Sequence, residues 1–131
     1  MKPIALQLYS LREEAQKDFA AVLSTVAEMG YVGVEFAGLH GMAPAAVKAI
    51  VDDLGLQVAS AHMALPTADN AAQLIDECGA LGVTKLISGF GPDQFANLDE
   101  CQRTAEKFAA AVELLAGTDI QIVGEAANGK D

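Results

Sequence analysis

Strand-like and helix-like segments alternate along this chain, and the alternation leaves few folds open to it. Four glycines recur at intervals of 25 to 35 residues, and each closes an amphipathic run that a short β-rich segment follows. Glycine is typical of a helix C-terminus because its backbone adopts a left-handed conformation without steric cost. We therefore predict four helices that end at Gly30, Gly55, Gly82 and Gly117.

Apolar residues in the predicted helices recur with the 3.6-residue period of an α-helix, so each helix has one apolar stripe to bury. Asn97 and Glu100 have the spacing of a capping box with asparagine as the cap, which predicts the start of the fourth helix. The four stripes are Phe19, Val22, Leu23, Val26 and Met29; Val47, Ile50, Val51 and Leu54; Leu74, Ile75, Cys78 and Leu81; and Cys101, Ala105, Phe108, Val112 and Leu115.

Five segments between and around these helices are rich in Val, Ile, Leu or aromatic residues and are predicted to be strands. They are residues 4–9, 31–36, 56–62, 85–90 and 120–124. Alternation of this kind implies parallel strands joined by right-handed crossovers, with helices packed on the sheet. We expect one α/β domain over residues 1–131, built either as an open five-stranded sheet or as a partial barrel.

Charge and composition exclude several classes of partner. The net charge is −10 with only eight basic residues, which opposes binding to the phosphate backbone of nucleic acids. No stretch approaches the roughly 18 apolar residues of a membrane span, and the first residues lack the features of a secretory signal, so a cytoplasmic location is expected. Cys78 and Cys101 fall on predicted helices and are expected to be buried thiols.

Polar residues are predicted to share one face of the early strands. Alternate side chains of a strand lie on the same face, which groups Gln7 with Tyr9 and groups Val58 with Ser60 and His62. In parallel α/β proteins, ligands bind at the C-terminal ends of the strands. The residues expected to line one pocket there are Gln7, Tyr9, Glu35, Ser60 and His62.

Each of these residues also has a structural interpretation. Glu35 is either functional or a solvated strand end, because a buried carboxylate is costly unless it is hydrogen-bonded or wet. His62 is a metal ligand, a general acid or base, or a hydrogen-bonded core histidine. Tyr9 either contacts substrate or packs its ring and satisfies its hydroxyl group. His40, between Gly38 and Gly41, is expected to be a surface loop residue.

Five motifs follow one another in the order found in a known family. Residues 4–12 read Ile-Ala-Leu-Gln-Leu-Tyr-Ser-Leu-Arg, residues 34–38 read Val-Glu-Phe-Ala-Gly, and residues 60–63 read Ser-Ala-His-Met. Residues 27–31 and 88–92 add Ala-Glu-Met-Gly-Tyr and Ser-Gly-Phe-Gly-Pro. Together they cover roughly residues 3 to 120, and the chain resembles the sugar phosphate isomerase/epimerase family, which has a xylose isomerase-like TIM barrel.

This resemblance implies a pocket for a small sugar or sugar phosphate at the C-terminal ends of the barrel strands. Members of this family often use a divalent metal (Mn, Mg, Zn or Co) that polarises a hydroxy-ketone while acidic residues transfer a proton, and the resemblance implies such a metal here. Glu35 and His62 match pocket positions of the family and are the catalytic candidates. Gln7, Tyr9 and Ser60 are the candidates for substrate binding.

The chain also departs from the family pattern. Most metal ligands of the family lie in the second half of the barrel, beyond this sequence, and the fifth strand reads Gly-Glu-Ala-Ala-Asn at residues 124–128 where relatives commonly carry His-Asn-His. The resemblance therefore implies an N-terminal half-barrel of four to five βα units with an incomplete metal site. One hypothesis is an isomerase or epimerase whose site, with Glu35, His62 and Glu125, is completed by assembly. The other is a non-catalytic half-barrel that binds a small polyol or serves as an assembly unit.

Half a barrel exposes its interior face and two sheet edges, because four or five twisted strands cannot close on themselves. Two copies related by a twofold axis along the barrel could supply four strands each, so a homodimer is expected. The fifth strand would then be displaced, swapped or used as an edge.

Overall fold

Five strands and five helices make up the part of the chain that the computed structural model describes, residues 2–126. The sequence departures after Ala126 lie outside that range. Two 3-10 helices, Leu8–Leu11 and Pro92–Phe95, follow the first and fourth strands. The strands are β1 (Ala5–Gln7), β2 (Gly33–Ala37), β3 (Gln57–His62), β4 (Lys85–Phe90) and β5 (Gln121–Ala126); the helices are α1 (Arg12–Lys17), α2 (Phe19–Glu28), α3 (Pro44–Asp53), α4 (Ala71–Leu81) and α5 (Leu98–Leu114).

All five strands form one sheet in the order β1-β2-β3-β4-β5, and every neighbouring pair is parallel. The predicted α/β architecture is confirmed, and it is a half-barrel of βα units. β5 pairs with β4 along its whole length, from Lys85 opposite Gln121 to Phe90 opposite Ala126. Of the three arrangements considered for the fifth strand, the structure therefore has the edge strand.

Burial of one face of the sheet fixes the direction of the side chains. Val34, Phe36, Ala61 and Leu86 point towards the helices and are at most 1% exposed. The Phe19 ring of α2 meets the Phe36 ring edge-on, with centroids 6.4 Å apart. Burial of such side chains is the main favourable contribution to folding. The face of the sheet on which each of them lies is therefore strongly determined. The opposite face of β1, β2 and β3 is left for polar residues.

Helix α5 departs from its predicted apolar stripe. Its buried residues are Thr104 and Ala111, while Val112 remains 47% exposed. The Thr104 hydroxyl donates to the carbonyl oxygen of Gln94 at 2.8 Å, which turns this side of α5 towards the preceding 3-10 helix. Among residues 2–126, the continuous buried core is built without any residue of α5. The prediction was wrong for Ala105 and Val112, which stay exposed.

The predicted helix ends are confirmed. Gly30, Gly55, Gly82 and Gly117 all have φ between 71° and 95°, in the left-handed region. Asn97 Oδ1 accepts the Glu100 amide at 2.9 Å, as expected for the cap of the last helix. None of the helices among residues 2–126 combines the length and apolarity that a membrane span requires.

The two cysteines differ in their surroundings. Cys78 is completely buried, and its thiol lies 3.6 Å from the sulfur of Met63. Cys101 is only partly buried, because the α5 stripe on which it lies is open on one side. The expectation of two buried thiols is confirmed for Cys78 and wrong for Cys101.

Thiol labelling should separate these two residues. Burial, with a smaller contribution from the Glu77 charge, raises the pKa of Cys78, so at neutral pH its reactive thiolate is scarce as well as inaccessible. We expect native protein to react quickly at one thiol and at the second only after unfolding, as measured with a chromogenic disulfide. Cys101→Ser should abolish the fast reaction and Cys78→Ser should leave it. A fast phase that survives Cys101→Ser would contradict this assignment.

Candidate functional site

A β-bulge in β3 determines which of its side chains reach the polar face. Val34 pairs with Val58, but the next residue of β2, Glu35, pairs with Ser60, so Ala59 is the additional residue. Val58 therefore joins Val34 against the core, while Ser60 lies beside Glu35. The sequence-based grouping of Val58 with Ser60 and His62 was wrong, because simple alternation does not hold across a bulge.

Polar side chains from the first three strands meet on that face. The Gln7 amide nitrogen lies 3.0 Å from His62 Nε2. The Ser60 hydroxyl donates to Glu35 Oε1 at 2.8 Å, and the same oxygen lies 3.9 Å from His62 Nε2. Four of the five predicted pocket residues are thus brought together.

Glu125 of β5 reaches the same histidine from the other side. Its Oε2 lies 3.2 Å from His62 Nε2, although β4 runs between the two strands. On β4, Ile87 pairs with His62 and Gly89 pairs with Glu125, so the contact runs diagonally across β4 and begins at a position that has no side chain. From the sequence, Glu125 was considered only for a site that assembly would complete. The glycine on the intervening strand is the sequence feature from which the contact with His62 could have been predicted. We refer to Gln7, Glu35, Ser60, His62 and Glu125 as the His62 cluster.

The His62 cluster requires the polar face of the sheet to be concave. Neighbouring strands lie about 4.8 Å apart, so β1 and β5 are each roughly 10 Å from β3. Side chains from both of these strands nevertheless reach one imidazole nitrogen. A face on which strands two positions apart converge from both sides has the curvature of a barrel interior.

Burial within the cluster is graded. Ser60 is 7% exposed, and the side chains of Glu35 and His62 are 18% and 27% exposed, whereas Glu125 is 57% exposed. A Nε2–H group of His62 can donate to Glu125, and the Gln7 amide then presents its oxygen to the ring, since the two ends of an amide are interchangeable by rotation. One imidazole with a carboxylate on each side can hold a proton and pass it on.

Tyr9 lies apart from these contacts. The first strand was predicted to reach residue 9, but it ends at Gln7. Tyr9 belongs to the 3-10 helix that follows, so strand alternation does not determine the direction of its side chain. Its ring lies under the Arg12 guanidinium at 4.2 Å, and 46% of the residue is exposed. Its placement in a strand was wrong, and a contact of Tyr9 with substrate stays a prediction.

His40 was expected at the surface but is half-buried. Its ring packs on that of Phe19, with centroids 4.9 Å apart. Its φ of 53° lies in the left-handed region between Gly38 and Gly41, which also have positive φ. The tight loop after β2 therefore folds His40 back onto α2.

The family resemblance implies a divalent metal, but the described residues of this half-barrel do not form a set of ligands for one. Among residues 2–126, no group of three or more His, Cys, Asp or Glu side chains is arranged to hold an ion. His62 Nε2, which could serve as a ligand atom, instead lies within hydrogen-bonding distance of Gln7 and Glu125. The donor atoms of the cluster are directed at one another and do not fit a divalent cation in this arrangement.

Two solved structures share this fold. The crystal structure of an AP endonuclease, family 2, from Brucella melitensis matches with a TM-score of 0.77 and 21% identity, covering 98% of this chain and 56% of that one. A xylose isomerase-like TIM barrel/4-hydroxyphenylpyruvate dioxygenase fusion protein matches with a TM-score of 0.67 and 17% identity, over 93% of this chain and 21% of that one. No protein-family model and no curated protein matches the sequence.

These likenesses define the class of fold. The chain is an α/β half-barrel of the TIM-barrel kind, similar to xylose isomerase-like and AP endonuclease family 2 barrels. It spans 56% of the length of the first of these structures. At 21% and 17% identity the likeness concerns the fold alone.

Proposed function

We propose that this chain provides one half of an isomerase- or epimerase-type site for a small sugar or sugar phosphate. The observation that carries the proposal is one imidazole nitrogen approached by two carboxylates on the concave face of a parallel half-barrel. Ligands of such folds bind at the C-terminal ends of the strands, where Glu35 and His62 lie. The likeness to a xylose isomerase-like barrel supports the fold in which we place this site.

In the proposed reaction, Glu35 acts as the base and His62 as the acid. The Glu35 carboxylate removes a proton from the carbon next to the substrate carbonyl, while His62 donates a proton to the carbonyl oxygen. In the second step a proton returns to carbon while His62 takes a hydroxyl proton and regenerates the carbonyl group. Return from Glu35 to the neighbouring carbon gives isomerisation, and return to the original carbon from its other face, by a donor in the second half of the site, gives epimerisation. Ser60 holds Glu35 in position through its hydrogen bond, and Glu125 holds His62.

Completion of the site needs a second half. The interior face of a five-stranded half-barrel is open on one side, so a bound sugar would contact protein only on the other. We include a homodimer in the proposal, with a second copy enclosing the site. The steps assigned here to Glu35 and His62 do not depend on a divalent metal.

Nucleic acid is not the proposed substrate, although one structural neighbour is an AP endonuclease. Affinity for a phosphate backbone rests on lysine and arginine, which release the counterions of the nucleic acid. This chain has eight such residues against 18 acidic ones. The proposal therefore specifies a small polyhydroxylated ligand.

Solvent deuterium exchange tests the proposed chemistry without requiring full turnover. Protein is incubated in deuterium oxide with D-fructose, D-xylulose or D-fructose 6-phosphate, and loss of the proton signal next to the carbonyl is followed by NMR. We expect exchange faster than in buffer for at least one of these ketoses. Binding of the sugar without exchange would instead favour the non-catalytic polyol-binding half-barrel, and exchange no faster than in buffer contradicts the proposal.

Removal of the Ser60 hydroxyl should weaken the reaction without abolishing it. Ser60→Ala takes away the hydrogen bond that positions Glu35, and a bond to a charged group is worth about 1.5–3 kcal/mol. We expect the exchange rate to fall by about tenfold or more. Ser10→Ala, at an exposed serine, is the matched control and should leave the rate unchanged. Equal rates for the two variants would remove Ser60 from the site.

A further inference from the structure

The outer side of β5 carries an uncovered apolar groove. It lies between α5 and β5, has a volume of about 380 Å³ and contains no charged residue, in a chain in which 20% of residues are charged. Val112 and Val123 are 47% and 44% exposed there. An edge strand also presents unpaired backbone N–H and C=O groups to any further strand. We call this surface the β5 groove; its lining residues are Val112, Leu115, Ile120, Gln121, Ile122 and Val123.

The opposite edge of the sheet is apolar as well. Ile4, the residue before β1, is 57% exposed, and Met29 and Val32 beside it are 64% and 40% exposed. They line a second groove of about 510 Å³, whose only charged residue is Lys2. The Ile4 carbonyl oxygen accepts the Val32 amide at 3.0 Å, so the pairing of β1 with β2 extends to Ile4, and alternation places Ile4 on the helix-facing side with Leu6. We call Lys2, Ile4, Met29 and Val32 the β1 edge.

The β5 groove and the β1 edge are complementary in three respects: the direction of their strands, the face of the sheet on which their apolar side chains lie, and their charge. β1 and β5 run parallel within one sheet, so a second β1 placed beside β5 in the same direction continues the sheet. Ile4 would then face Ile120 and Ile122, which also lie on the helix-facing side. Lys2 precedes β1 and Asp119 precedes β5, both exposed at the same end of the sheet, so the two opposite charges would meet.

We propose that the β5 groove binds the β1 edge of a second copy of this chain. The contact joins two different surfaces, and a twofold axis generates it twice, which closes the assembly instead of extending it into a filament. Because β5 is paired in each copy, the closed sheet has five strands from each chain, where four had been expected. This docking rests on the proposed function in that it supplies the second half of the open site.

Sedimentation equilibrium with lysine variants tests the docking. We expect the unchanged protein to dimerise, and Ile4→Lys or Val112→Lys to weaken dimerisation at least about tenfold, because the new ammonium group would be buried without a partner. Leu98→Lys is the matched control: Leu98 is 87% exposed and lies outside both grooves, so the dimer should persist. Circular dichroism shows whether each variant is folded.

Mixing the two variants distinguishes this contact from other dimers. Val112→Lys keeps an intact β1 edge and Ile4→Lys keeps an intact β5 groove, so a mixture should form a heterodimer through one good contact. Should either variant fail to fold, Lys2→Asp and Asp119→Lys provide a second test: each should weaken the dimer, and the double variant should restore it. A monomeric unchanged protein, or mixtures and double variants without recovery, would overturn the docking.

Docking and chemistry can fail separately. Dimerisation is measured by sedimentation, and the proposed reaction by deuterium exchange. A monomer that catalyses exchange overturns the docking and the homodimer of the proposed function, and leaves the proposed chemistry of Glu35 and His62 standing. A dimer with the expected variant pattern but no exchange supports the docking and removes the proposed function.

Discussion

Glu35→Gln is expected to lower the rate of solvent deuterium exchange by about 10²- to 10⁴-fold, the usual contribution of a positioned general base. Glutamine preserves the size of the side chain and can still accept the Ser60 hydroxyl, but it cannot take a proton from carbon. The loss should therefore appear in the rate of exchange far more than in the binding of the sugar. NMR of the ketose in deuterium oxide measures the first, and calorimetric titration measures the second.

His62→Gln and a surface control complete this test. His62→Gln removes the acid and is expected to reduce exchange by a similar factor, since Glu35 and His62 act on the same enediol. Glu13→Gln, at an exposed position of α1, makes the same chemical change away from the cluster and should leave exchange unaltered. A Glu35→Gln variant that exchanges as fast as Glu13→Gln would remove the proposed base from the mechanism.

Phe36→Ala is expected to lower the free energy of unfolding by about 3–5 kcal/mol, as for other buried aromatic residues truncated to alanine. Phe36 is 1% exposed, follows Glu35 in β2 and packs edge-on against Phe19. Domains of this size are typically stable by about 5–15 kcal/mol, so the variant should unfold at a much lower urea concentration. Loss of the core contact would also release the strand that positions Glu35.

Phe95→Ala is the matched control for this prediction. Phe95 is 43% exposed and its main aromatic neighbour is Phe90, with centroids 6.1 Å apart. Truncation there should cost about 1 kcal/mol, the worth of an aromatic pair with little burial. Equal shifts in the urea midpoint for Phe36→Ala and Phe95→Ala would contradict the assignment of Phe36 to the main core.

The sequence predicted those parts of the fold that are determined locally. Gly82 follows the last residue of α4, where the backbone adopts a left-handed conformation. Glycine favours that conformation, so the helix end could be predicted from the residue type. Glu35 was correctly expected among the residues of the polar face, because β2 is regular and its opposite face, with Val34 and Phe36, is buried. The same alternation correctly placed Ser60 and His62 on one face of β3, which is why the cluster could be anticipated.

The remaining features depend on contacts between distant segments. Val58 changes face because of a bulge that arises from the pairing of β3 with β2, and no residue type marks it. Tyr9 leaves the strand because the chain turns into a 3-10 helix after Gln7. α5 buries Thr104 in place of Val112 because Thr104 bonds to Gln94, a partner that helical periodicity does not reveal.

Side chains of β1 and β5 converge on the imidazole of His62 in β3, and nuclear Overhauser effects at His62 test this convergence most directly. In protein with assigned side chains, the carbon-bound imidazole protons should show cross-peaks to the Gln7 amide protons and to the Glu125 methylene protons, because both side chains contact His62 Nε2. In a flat sheet these strands lie roughly 10 Å from β3, and the cross-peaks would be missing. Observation of both sets would support a concave polar face; absence of both in folded protein would contradict it.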